Sequence, residues 1–137
     1  MNEIKKRINE ILKLDIDDND ILDINRAELI CNFIVKDYEW DEVQNALISL
    51  LVEERKPEDY NAIAQVFWYI DREKYRLDSD KIVALINYRC NPFDQPYENN
   101  LAWSVTSELY GLDYADSEYN PFRDEKIISI LNEYGLL

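Results

Sequence analysis

The side chains able to do chemistry in this 137-residue chain are 29 aspartates and glutamates, 10 tyrosines and two cysteines, with no histidine. Without an imidazole, no Ser-His-Asp or Cys-His nucleophile can be assembled, and no His-ligated metal site can be written. Cys31 and Cys90 lie far apart and belong to no CxxC pair, which leaves neither a zinc cluster nor a dithiol redox motif. Both are expected to be reduced core thiols. The run Asp15-Ile16-Asp17-Asp18-Asn19-Asp20 invites a calcium reading, but a loop starting at Asp15 would need glycine sixth and glutamate twelfth. It offers Asp20 and Arg26 instead, so a helix junction capped by Asn19 or Asp20 is expected there. With only 2 glycines there is no phosphate-cradling loop, and in so acidic a chain no carboxylate pair singles itself out for acid–base work. The expectation is a protein that is not an enzyme and takes no cofactor.

The same carboxylates point to binding. Against 15 lysines and arginines they leave a net charge of −14, which repels nucleic acid and anionic membranes and suits a cationic partner. Four segments pair acidic with aromatic residues: Tyr38-Glu39-Trp40-Asp41-Glu42, Tyr69 to Tyr75, Asp94-Gln95-Pro96-Tyr97-Glu98, and Asp113 to Tyr119. Tyrosine and tryptophan supply binding energy at interface centres, and carboxylates around them steer a basic partner. The expected partner-binding residues are Tyr38, Glu39, Asp41, Glu42, Asp71, Glu73, Tyr75, Asp94, Tyr97, Glu98, Asp113, Tyr114, Asp116, Glu118 and Tyr119. Trp40, Trp68 and Trp103 are expected in the core.

Helices must position these segments. Ile4, Ile8, Ile11 and Leu12 step by three and four, the spacing of one helical stripe. A second helix is expected to Lys36, burying Ala27, Ile30, Phe33 and Ile34, and a third carries Trp40, Val43, Leu47, Leu50 and Leu51. Pro57, followed by Glu58 and Asp59, opens a fourth through Phe67, because proline's missing amide is harmless in a first turn. A fifth, capped by Asp78 or Ser79, holds Ile82, Leu85 and Ile86. A sixth runs from about Asn99 to Tyr110, stopped by Gly111, and a seventh from Asp124 to Tyr134, stopped by Gly135. The breaks are Cys90 to Glu98, with Pro92 and Pro96, and Leu112 to Phe122. No Asn-Gly or Gly-Gly turn separates candidate strands, so the fold class is all-α in a single domain, 1–137. The N-terminus lacks an apolar signal-peptide stretch and no window approaches the roughly 20 apolar residues of a membrane span, which fits a cytoplasmic protein.

Asp80-Lys81-Ile82-Val83-Ala84-Leu85-Ile86-Asn87 aligns without gaps on Glu125-Lys126-Ile127-Ile128-Ser129-Ile130-Leu131-Asn132, 45 residues on. A looser match, displaced by 39, sets Asp41, Val43 and Leu47 on Asp80, Ile82 and Ile86, and Asn61, Val66 and Ile70 on Asn100, Val105 and Leu109. A period near 40 built from helix pairs resembles the HEAT/armadillo-like class, implying a helical-hairpin α-solenoid of about seven helices; the alternative is an irregular helical bundle. In type, the whole chain resembles small, acidic immunity proteins of contact-dependent inhibition and other polymorphic toxin systems. That resemblance implies neutralisation of a cognate basic toxin domain, often a nuclease, by occlusion of its cleft or an exosite, and a free monomer. The rivals are a helical-repeat adaptor and an acidic mimic of nucleic acid.

Overall fold

The computed structural model describes residues 2–14, 24–90, 100–113 and 119–137, and it is all-helical. Its elements are α1 (Asn2–Leu12), α2 (Ile24–Leu29), a π-helical turn continuing α2 (Ile30–Val35), α3 (Trp40–Val52), α4 (Pro57–Tyr69), α5 (Ser79–Cys90), α6 (Asn100–Tyr110), a short 3₁₀ turn (Pro121–Arg123) and α7 (Glu125–Glu133). Among the described residues seven α-helices therefore stand where the periodicity places them. The Asp15 to Asp20 run lies outside the described residues.

Local chemistry explains most boundaries. Pro57 occupies the first turn of α4, and Asp124 caps α7 by accepting from the Lys126 amide at 3.0 Å. Gly111 (φ 65) and Gly135 (φ 72) turn left-handed after α6 and α7, and the amides that follow, of Leu112 and Leu136, reach back to the Ser107 and Leu131 carbonyls at 2.9 Å. Arginines close two other helices. Arg89 donates to the Leu51, Val52 and Glu53 carbonyls at the end of α3, and Arg72 to those of Phe67 and Trp68 at the end of α4.

The helices pack in two layers. In one, α1 touches α3, α3 touches α5 and α5 touches α7; in the other, α2 touches α4 and α4 touches α6. Contacts reach the next helix or the next but one, the order of stacked pairs; the stacked-hairpin and irregular-bundle readings both accommodate it. Inner helices are buried on two sides and terminal ones on one. The repeated sequence shows the consequence: Ile82 through Asn87 are all buried in α5, whereas in α7 only Ile127 and Leu131 are, and Asn132, the counterpart of Asn87, faces solvent. The same burial joins Ile4, Ile8, Leu47, Leu51, Ile63 and Phe67 in one continuous core.

Two expectations are corrected. Phe33 was placed on the buried stripe of the second helix but is 53% exposed, while Ile34 and Val35 are buried. In a π-helical turn bonding reaches five residues on, so each residue turns through a smaller angle; three residues past Ile30, the chain falls further short of a full turn and Phe33 swings outward. The break before α7 is also not all loop. Pro121 and Phe122 are buried in the 3₁₀ turn, which Asn120 caps by accepting from the Phe122 amide at 2.9 Å.

Candidate functional site

Helix direction decides which connections lie together. At the starts of α3 and α5 the Asp78 amide donates to Gln44 Oε1 at 2.8 Å, and at their ends Arg89 meets the Leu51 carbonyl at 2.9 Å, so the two run parallel. Lys126 and Asp80, 3.3 Å apart, join the starts of α5 and α7, and Arg72 and Glu108, at 2.9 Å, join the ends of α4 and α6. The connections entering α3, α5 and α7 thus emerge at one end of the molecule. α3 and α5 themselves end at the other.

Three of the four acidic–aromatic segments belong to the first end. Tyr38 is half-buried, its ring 5.4 Å from the Arg7 guanidinium, which also donates to its hydroxyl at 3.3 Å and to Asp37 at 3.2 Å. That pairing holds the Arg7 pKa above its ordinary value, the Tyr38 hydrogen bond contributing most. Glu39, Asp41 and Glu42 are exposed around the start of α3. In the second segment Asp71 and Glu73 are exposed, and Asp71 Oδ1 accepts from the Glu73 amide at 3.0 Å, tightening the turn. Tyr75 is half-buried with its ring centroid 5.2 Å from that of Trp40, whose indole N–H donates to the Arg76 carbonyl at 2.8 Å. The first and second segments are therefore locked together through one aromatic pair.

In the fourth segment Asp113 is exposed, and half-buried Tyr119 donates to Asp124 at 2.8 Å while packing edge-on against Tyr110 at 5.9 Å. Tyr110 in turn donates to Asp80 at 2.7 Å; burial first, and then that hydrogen bond, push its pKa well above the usual phenol range. Tyr114, Asp116 and Glu118 lie outside the described residues, as do Asp94, Tyr97 and Glu98. Trp40 is buried as expected, whereas Trp68 and Trp103 are half-buried.

A feature the sequence did not reveal lies between the starts of α3 and α5: a depression of about 430 Å³ lined by Asp41, Gln44, Arg76, Leu77, Asp78, Ser79 and Asp80. Its carboxylates come from helix starts 39 residues apart, so only the parallel stacking brings them together. The cations nearby are partly committed: Lys81 to Asp78 at 3.5 Å, Lys126 to Asp80, and Arg72 to Glu108. Glu39, Asp41, Glu42 and Glu73 make no ion pair among the described residues, although exposed Lys36, Lys74, Arg76 and Arg123 dilute their field. Among the described residues no three His, Cys, Asp or Glu side chains gather to hold a metal ion, and no helix is long and apolar enough to cross a membrane. Both cysteines are free thiols. Comparison of the chain with known protein families, curated proteins and solved structures finds no match.

Proposed function

We propose that the chain is a non-catalytic, cytoplasmic binding protein whose end formed by the connections into α3, α5 and α7 recognises a basic protein, and that the partner is a cognate toxin domain which it neutralises as an immunity protein. The observation that carries this is the convergence of Glu39, Asp41, Glu42, Asp71 and Glu73, all exposed, around the Trp40–Tyr75 pair. Unpaired carboxylates around a rigid aromatic centre give fast, steered association with a cation and slow release. Acidic side chains would stand in the field that a nuclease reserves for phosphates, or hold an exosite beside it. Co-expression tests this: a basic toxin domain encoded beside this chain should arrest growth alone and spare it when the chain is present. Arrest unchanged by the chain contradicts the reading. An adaptor role would instead show binding without rescue.

A further inference from the structure

A second depression, of about 540 Å³, lies on the other side of the segment 71–78, between the π-helical turn and the end of α4. Cys31, Val35, Ile70 and Tyr75 supply its apolar lining. Its charged lining, Glu28 and Asp71 against Lys36 and Lys74, cancels, so this groove does not select by net charge as the acidic depression does. Four large hydrophobic side chains are well exposed among the described residues, and the two aromatic ones, Phe33 and Tyr69 (45%), stand on the two elements that form its walls. Tyr69 itself lines the hollow, and an exposed aromatic there is the composition of an interface centre rather than of solvated surface. Tyr75 lines this groove, and Trp40 behind it bonds to the Arg76 carbonyl at the rim of the acidic depression. The two hollows are thus neighbours across one stiff aromatic wall.

We infer that the groove between the π-helical turn and α4 takes an apolar side chain, leucine- to phenylalanine-sized, from the same basic partner segment that sets a lysine or arginine in the acidic depression. This rests on the proposed recognition of a basic partner and adds its second anchor. Charge then steers the encounter, and the apolar anchor sets the residence time.

The test uses the full chain, isotope-labelled, and two blocked synthetic peptides of equal charge, one repeating arginine and leucine, the other arginine and serine. At low salt the Arg/Leu peptide should shift backbone resonances of residues 28–36 and 69–70 as well as those of 39–42 and 71–80, whereas the Arg/Ser peptide should shift only the latter set. Tyr69→Ser, at an exposed site, should weaken the Arg/Leu peptide by about fivefold or more and leave the Arg/Ser peptide unchanged. If both peptides shift residues 39–42 and 71–80 alone, or Tyr69→Ser changes neither affinity, the apolar anchor is wrong and the basic-partner reading stands. If neither peptide binds, both fail.

Discussion

Single side chains show where polar groups have been spent on holding the stack. Asn87 is fully buried; its Nδ2 donates to the Val83 carbonyl at 2.9 Å and to Thr106 Oγ1 at 2.8 Å, while Oδ1 finds no partner among the described residues. Thr106→Val should lower stability by about 1–2 kcal/mol, because a buried donor loses one acceptor, and adding Asn87→Leu should restore most of it. Urea denaturation of the two singles and the double tests this; additive losses would contradict it. The thiols offer a second check. Burial, with the Glu28 charge adding to it, pushes Cys31 up to about 11, and burial alone pushes Cys90 up to about 12. Since only thiolate reacts, a disulfide reagent at pH 8 should modify Cys31 about 100-fold more slowly than an unperturbed thiol, with the rate climbing as pH rises towards 11. Rapid modification at pH 8 would contradict that burial. At this scale the sequence yields which tyrosines and carboxylates are present, not which are free. Tyr38 and Tyr119 sit in chemically suggestive segments yet serve Arg7 and Asp124, the first through a crossing of distant chain that no local spacing encodes, the second through a contact five residues on that many other loop conformations would not make.

Elements were the most legible level, since their signals are local. Stripe spacing, Pro57, Asp124 and the two glycines place the helices, and the structure departs only where the backbone changes pitch or a short turn buries itself. The π-helical turn has no proline or glycine to announce it, and its visible effect is Phe33 facing out. Both glycines lie at positive φ with nothing within 4 Å of an added Cβ, so only backbone strain opposes a side chain there. Gly111→Ala and Gly135→Ala should each cost about 1 kcal/mol in thermal or urea unfolding, without changing the helical circular dichroism of the folded state. No loss would show that these caps are not needed to end α6 and α7.

On the scale of the whole molecule, the arrangement of the site follows from connectivity. Antiparallel neighbours send alternate connections to opposite ends, which is why the segments entering α3, α5 and α7 gather. Helix order was readable in sequence; the pooling of Asp41, Asp78 and Asp80 was not, because it depends on α3 and α5 lying parallel. The charge of −14 acts on stability and on binding with opposite signs. Salt screens repulsion within the folded chain and attraction to a cationic partner. Melting temperature should therefore rise, and partner affinity fall, between low and physiological ionic strength. Affinity indifferent to salt would count against electrostatic recognition.

The most direct measurement is a matched pair of charge reversals assayed for affinity to the adjacent-encoded basic domain. Glu39→Lys, Glu42→Lys and Glu73→Lys alter exposed carboxylates at the proposed end; Glu10→Lys, Glu54→Lys and Glu58→Lys alter as many exposed ones away from it. The first triple variant should lose affinity by about 100-fold or more, and the second should stay within about threefold of the unaltered chain. Equal losses, or a larger loss from the second triple, would contradict recognition through the end that carries the connections into α3, α5 and α7.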